Sequence, residues 1–446
     1  MGGGLLQLVA YGAQDVYLSG NPQITFFKVA YRRHTNFSME SIEQTFNGVA
    51  NFGRRVTCQI SRNGDLIHRM YLQVSLKDGM AVEGSYAGLA LIKSVELEIG
   101  GQRIDKQYGD WMYIWNELTL PSGKKEGFDD MVGGDGFNLG KTQTSDEQTN
   151  ANEIDDVQDL ANTYVATLPA TTLYVPLEFW FCRNPGLALP LIALQYHEVK
   201  VNLEFAAAAD AGITAVKVKY TDPADEDNTF TYTSSEAPKM TVAALWVDYV
   251  FLDTDERRRF AQLSHEYLIE QLQFTGEENV AGSSNKIKLN FNHPVKELVW
   301  VMQQSASPFG CYDDSGSKAN SGSTAAVSNG YVRTGMNLTE SANIQLNGHD
   351  RFAVREGKYF NRVQPFQHHT NVPSNKGINV YSFALKPEEH QPSGTLNFSR
   401  IDSAILSVKA MSKSAAYLNP SKIRVYAVNY NVLRVMSGMG GLAYSN

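Results

Sequence analysis

Histidines, acids and glycine-rich turns are the residues of this chain that could do chemistry, and their spacing decides how much. His368-His369 and His390 offer imidazoles, but no carboxylate or cysteine stands at ligand spacing beside them, so exposed or structural histidines are expected. His265-Glu266 opens like a helical zinc motif, yet Ile269 holds the place of the second histidine. Gly136-Phe137-Asn138-Leu139-Gly140-Lys141-Thr142 ends as a phosphate-binding loop ends. Asp135 stands where the first glycine belongs, and a Gly/Asp stretch precedes it rather than a buried strand, so a plain loop is expected. Asp222, Asp225, Glu226 and Asp227 lack the glycine and terminal glutamate of a calcium loop and read as a solvated turn. There is no G-x-S-x-G elbow for a serine nucleophile. Carboxylate pairs for glycoside hydrolysis depend on separation in space, which a sequence does not give. Cys58, Cys182 and Cys311 are too few for a disulfide framework and have no zinc-finger spacing. Cys58 and Cys182 lie in apolar runs and read as small core residues, which suits a reducing compartment. No catalytic residue, cofactor or metal is expected.

The residues that matter are then those that shape elements. A chain of 446 residues exceeds one ordinary core, so two or three domains are expected. Charged residues make up 19%, below the usual quarter, which suggests surface covered by partners. The net charge of −8 argues against direct nucleic-acid binding; Arg32-Arg33-His34 and Arg257-Arg258-Arg259 are expected to form ion pairs at contacts. No basic n-region marks a signal peptide, Leu6 breaks a myristoylation pattern that Gly2 would begin, and no apolar run approaches the ~20 residues of a membrane span.

Leu245 to Tyr267 stands at the middle. Trp246 to Leu252 is an almost unbroken apolar run, expected as a strand buried on both faces. Asp253 can cap a helix after it, with Glu256 three residues on as the partner in a capping box. Before it, strands are expected at Thr25 to Val29, Met39 to Phe46, Val56 to Ser61, Leu66 to Val74, Val95 to Ile99, Leu173 to Phe181 and Val199 to Phe205. Asn63-Gly64 and Gly100-Gly101 supply hairpin turns. Ser122 to Ala170, rich in Gly, Asp, Asn, Gln and Thr, is expected as a long exposed loop with one short helix near Glu153 to Leu160.

The second half repeats this plan. Leu268 to Gln271 echoes Ser41 to Gln44, Ile287 to Phe291 echoes the Val56 strand, and Ile344 to Leu346 meets Asn347-Gly348 as Val95 to Ile99 meets Gly100-Gly101. Tyr381 to Leu385 and Ala404 to Lys409 follow, Ile423 to Val435 closes, and Ser305 to Ala342 is a second Ser/Gly/Asn-rich excursion. An offset of roughly 230 to 250 residues is far longer than solenoid periods, so a duplicated domain is expected. About eight short strands per half with long crossovers predict an all-β double jelly roll: two eight-stranded β-sandwiches in tandem, with short helices in loops and at the hinge.

Motif by motif the chain resembles the major capsid proteins of nucleocytoplasmic large DNA viruses, most of all those of algal viruses (phycodnaviruses, chlorovirus type). The matching blocks are YGAQDVYLSGNPQITFFK from Tyr11, YRRHTNF from Tyr31, ISRNGDLI from Ile60, VELEIGGQRIDK from Val95, NPGLALPLIALQYHEVK from Asn184, VDYVFLDTDER from Val247, HEYLIEQLQFTG from His265, LNFNHP from Leu289, IQLNGHDRF from Ile344, YSFALKP from Tyr381, QPSGTLNFSRID from Gln391 and the C-terminal NYNVLRVMSGMGGLAYSN. Ser122 to Ala170 and Ser305 to Ala342 show no family pattern.

The resemblance implies a structural protein of the virion and not an enzyme. It implies a homotrimer forming a pseudo-hexagonal capsomer, contacts with neighbouring capsomers and with minor capsid and penton proteins, an internal viral membrane met only indirectly, and assembly in the host cytoplasm. The expected division is an N-terminal arm (1–24), a first jelly roll (25–254), a hinge helix (255–265) and a second jelly roll (266–446). Family members of the chlorovirus type resemble glycoproteins; the sequons here are Asn337-Leu-Thr, in an exposed-looking loop and the best placed, and Asn36-Phe-Ser and Asn397-Phe-Ser. Gly100, Gly101, Asn347 and Gly348 are expected to make corresponding hairpins, and Asp253 to cap the hinge helix. Two alternatives stand beside this reading: a minor or vertex capsid paralogue, and a carbohydrate-binding or carbohydrate-active β-sandwich.

Overall fold

The computed structural model describes residues 3–77, 80–82, 86–134, 171–215, 217–222, 225–233, 238–280, 282–304, 309, 312, 337–411 and 420–444. Contacts divide the chain into one unit at Met1–Phe37 and another at Ser38–Asn446. In the first, two short helical segments, Gly3–Val9 and Asp15–Ser19, bury no side chain.

In the second unit, alternating strands build two sandwiches. The first has β1 (Phe37–Gln44), β2 (Arg55–Gln59), β3 (Leu66–Leu76), β4 (Ile92–Ile99), β5 (Gln102–Gln107), β6 (Thr171–Pro176), β7 (Val199–Phe205) and β8 (Met240–Leu252). One sheet runs β1-β8-β3-β6 and the other β2-β7-β4-β5. Period-two patterning turns one side of each strand inward. Met70, Leu72 and Val74 of β3 and Leu173 and Val175 of β6 meet Val95, Leu97 and Ile99 of β4 and Val201 and Leu203 of β7 in one core.

The second sandwich has β9 (His265–Asn279), β10 (Ser284–Lys288), β11 (Pro294–Gln304), β12 (Thr339–Leu346), β13 (His349–Asp350), β14 (Asn379–Ser382), β15 (Ala404–Ala410) and β16 (Pro420–Met436). Arg355–Glu356 continues the pairing of β13 along β12. Its sheets run β9-β16-β11-β14 and β10-β15-β12-β13. Adding eight to each strand number of the first sandwich yields this order, so the halves repeat as topology and not only as motifs. Both are jelly rolls, with consecutive strands alternating between facing sheets except at the β4-β5 and β12-β13 hairpins, which stay in one sheet.

Several local expectations differ from the structure. Thr25–Val29 forms no strand; it is exposed and pairs with nothing among the described residues, and an unpaired segment has no ladder to hold it extended. The strand expected to reach Phe181 stops at Pro176, and Trp180–Arg183 makes a helical turn. Ser122–Val132 is not loop but helix, anchored by buried Phe128 and Val132. The middle strand is buried along one face and only at points along the other, at Ala244 and Val250. Leu245, Val247 and Tyr249 point into the core, whereas Trp246 is half-exposed on the other side. The Gly136–Thr142 stretch, the helix expected near Glu153 and most of Ser305–Ala342 lie outside the described residues.

Candidate functional site: the seam between the two sandwiches

Many of the side chains whose ionisation burial perturbs gather where the sandwiches meet. The seam begins with a helix, α1 (Gly109–Thr119), that follows β5. Trp111, Met112, Tyr113, Ile114, Trp115 and Leu118 are all buried, so apolar side chains face every direction and the helix needs cover on every side. The first sandwich supplies one side. A Cβ on Gly109 would lie 2.2 Å from the Leu89 carbonyl oxygen, so glycine lets the helix start pressed against that segment. The second sandwich supplies the other. Trp111 lies 5.5 Å from Tyr426 of β16 between ring centroids, Tyr426 stacks 4.8 Å from Phe274 of β9, and Phe274 meets Tyr108 edge-on at 5.0 Å. Apolar residues on the outer face of β9-β16-β11-β14 thus join the core of the first sandwich, while Leu298, Trp300 and Val425 fill the second sandwich's own interior.

Charged groups close the seam around this apolar centre. Glu270 of β9 receives Arg183 from the first sandwich at 3.0 Å and Lys296 of β11 at 2.8 Å. Arg183 also stacks over the Trp115 ring at 4.5 Å. Burial raises the Glu270 pKa, but Lys296 and Arg183 outweigh it and hold the carboxyl below its usual range. Burial lowers Lys296, whose side chain is fully enclosed. Next to it, Glu297 faces His369 Nε2 at 3.1 Å, and His369 Nδ1 faces Glu388 at 2.9 Å. Burial would lower His369; the two carboxylates overcome that and raise it to about 9. Asp105 of β5 accepts the Leu272 N–H of β9 at 3.1 Å, and burial pushes it up to about 6 against that bond. Asp110 takes the Arg424 guanidinium and the Tyr312 hydroxyl, the latter at 2.9 Å. Glu117 accepts the Ser374 hydroxyl at 2.9 Å. Among the described residues no group of three His, Cys, Asp or Glu side chains is placed to hold a metal ion. The Arg183–Glu270, Asp105–Leu272, Asp110–Arg424 and Glu117–Ser374 contacts fasten the two sandwiches together, while the Glu297–His369–Glu388 cluster ties up the second sandwich's own side.

The residues singled out from sequence lie mostly at the ends of this framework. Gly100 and Gly101 turn β4 into β5 at φ +58° and +85°, and Asn347 and Gly348 turn β12 into β13 at +50° and +81°. Each turn ties to the approach of the seventh strand of its sandwich: Gly100 N–H donates to Glu198 O at 2.9 Å, and Asn347 N–H to Ser403 O at 2.7 Å. Asp253 stands at the N-terminus of α3 (Thr254–Gln262, with Ser122–Val132 as α2), and its carboxylate accepts the Thr254 N–H at 2.7 Å. Glu256, expected to reach back to it, is paired with Arg259 instead. Asn337 is half-buried rather than on an open loop, its amide nitrogen donating to Asn379 Oδ1 at 2.6 Å. Asn397 is half-buried and turns back to the Ser399 N–H, while Asn36 is exposed. His369, expected as exposed or structural, is structural, its side chain enclosed between Glu297 and Glu388. Sequence reasoning missed α1, Arg183 and the Lys296-Glu297 pair. The readable signal for the pair was two adjacent opposite charges inside the apolar run Val295 to Met302.

Comparison with known proteins decides what such a framework serves. Residues 25–253 match the family model described as major capsid protein N-terminus, and 256–441 match that of the large eukaryotic DNA virus major capsid protein. The chain belongs to the family of large-DNA-virus major capsid proteins. It is 54% identical to the major capsid protein of Pyramimonas orientalis virus and 46% identical to that of Paramecium bursaria Chlorella virus 1, covering 100% of both chains in each case. Among solved structures it is similar to the PBCV-1 virus capsid quasi-atomic model, with TM-score 0.74, 40% identity and coverage of 95% of this chain and 100% of that one. The Faustovirus major capsid protein shares the fold, with TM-score 0.69 at 13% identity, over 96% of this chain and 94% of that one. The double jelly roll and its structural role in the virion follow from membership of this capsid family.

Proposed function

We propose that this chain is the repeating subunit of a homotrimeric, pseudo-hexagonal capsomer that tiles an icosahedral shell. The observation that supports it is the eight-strand repeat: two sandwiches of one strand order, joined side by side within one unit. Three such chains around a threefold axis present six similar flanks, each step roughly 60°, so one protein fills a hexagonal lattice. On this reading the arm is 1–24, the jelly rolls are 25–254 and 266–446, and 255–265 is the hinge. Neighbouring capsomers, minor capsid proteins and penton proteins are the partners. The internal membrane is met only through them, and assembly takes place in the host cytoplasm. The chain itself carries out no catalysis. A glycan at Asn337 would require its amide nitrogen to leave Asn379; Asn36 has the exposed amide. Intact mass and peptide mapping of the protein from virions test all three sequons.

Sedimentation velocity of the purified chain is expected to give a trimer, with hexagonal outlines in negative stain. A chain that stays monomeric at every concentration overturns the reading. The carbohydrate-binding alternative predicts saturable binding on a glycan array by that same monomer.

A further inference from the structure

The strand repeat pairs every surface of one sandwich with a counterpart on the other, and one pair is unequal. The outer face of β9-β16-β11-β14 is covered by α1 from the first sandwich. Its counterpart, the outer face of β1-β8-β3-β6, is buried at Leu66 and Val250 but elsewhere carries apolar side chains that stay open among the described residues. Met39 is 48% exposed, Val242 47% and Tyr174 39%. Between them Tyr71 stacks on Trp246 at 6.2 Å and meets Tyr174 edge-on at 6.1 Å. These aromatics lie on the opposite side of the sheet from Leu72, Leu173 and Leu245, so they do not fill the sandwich interior.

The counterpart of α1 is unequal in the same sense. After β13 and Arg355–Glu356, a π-turn at Tyr359–Val363 runs into α4 (Gln364–His368). Its inner side is covered, with Phe360, Asn361 and Gln364 buried. On its other side Phe366 is 79% exposed, and Val354 just before it 64%. In α1 the equivalent second side is buried by the neighbouring sandwich. Charge follows the same pattern. Glu43, which stands in β1 as Glu270 stands in β9, is exposed, and so are Arg355 and Lys358 beside the helix. In the seam, Glu270 is met by Arg183 of the adjoining sandwich.

We infer that segment 354–368 of a second copy of this chain seats on the outer face of β1-β8-β3-β6, with Phe366 against the Tyr71, Trp246 and Val242 surface. The contact repeats between chains what α1 makes within one. It is heterologous, and alternating with the internal seam it closes after three chains. It rests on the trimeric reading above and says which surfaces form the trimer.

The test uses the full chain with p-benzoylphenylalanine in place of Phe366, prepared as an equal mixture of isotope-labelled and unlabelled protein and irradiated. Cross-linked peptides are expected to join position 366 of one copy to β1, β3, β6 or β8 of another. Alongside it, Phe366→Asp and Val242→Asp, at exposed positions, are expected to keep the far-ultraviolet spectrum and weaken trimerisation by roughly thirty-fold or more, as loss of a hot spot does. Cross-links elsewhere, none at all in a trimeric sample, or trimers of unchanged strength in both folded Asp variants overturn the proposed surface while leaving the trimer intact. An Asp variant that fails to fold leaves the decision to the cross-link. A monomeric unsubstituted chain would instead sink the trimeric reading, and this surface with it.

Discussion

His369 shows how one residue can set a pH limit for a large framework. Its pKa is raised from 6.5 to about 9. The stabilisation it contributes is therefore complete below pH 6.5, declines as pH rises and is gone above about 9. A shift of this size corresponds to on the order of 3 kcal/mol. Asp105, raised from 3.8 to about 6, loses its contribution as pH rises through that lower window. Glu270 and Glu388 are held down and lose theirs as pH falls, so the acid side is contested; on the alkaline side Lys296, lowered by burial, gains as pH rises and blunts the His369 decline, which only the His369 variant isolates. The melting temperature is expected to fall between pH 6.5 and 9, and in His369→Gln that limb should be absent; a limb that persists in the variant would assign it to other groups. Turn residues give a second test at this scale. Gly101 has open space around it but φ of +85°, so Gly101→Val should cost about 1–2 kcal/mol through backbone strain alone, read as a lower denaturant midpoint. Gly100→Ala should cost more, because its Cβ would lie 2.3 Å from the His197 ring. The reverse ranking would count against the turn geometry.

Among the elements, α1 carries the most. Trp115→Ala removes a ring that packs on Trp111 and lies under Arg183, and should cost about 3–5 kcal/mol in chemical denaturation. A cost under about 1 kcal/mol would mean the seam repacks around the gap. This helix also marks the limit of what could be read in advance. Strands with one wet face announce themselves by alternation, as Val199 to Phe205 does, and turns by Asn-Gly and Gly-Gly, so sheets and hairpins were legible. A helix buried all round has no polar stripe, and Trp111 to Leu118 gives no period to find. Trp246 was misjudged for a related reason. Its apolar neighbours suggested burial on both faces, yet its own face is one that the chain leaves open. The seam's ion pairs join residues far apart in sequence, such as Arg183 and Glu270, and only the fold brings them together.

At the scale of the whole molecule, the two sandwiches are alike in order but not in finish. In the first, the fifth strand is one continuous ribbon, Gln102–Gln107; in the second it is interrupted, with His349–Asp350 and Arg355–Glu356 separated by four residues that leave the ladder. In the proposed ring of three chains, the continuous ribbon lies at each internal seam and the interrupted one at each contact between chains, so the two alternate around the threefold axis. Turning such a plate by a sixth of a revolution fills the same outline but exchanges unlike sides. Two adjoining plates can consequently meet in distinguishable ways, and a growing surface carries orientation information that a truly sixfold plate would lack.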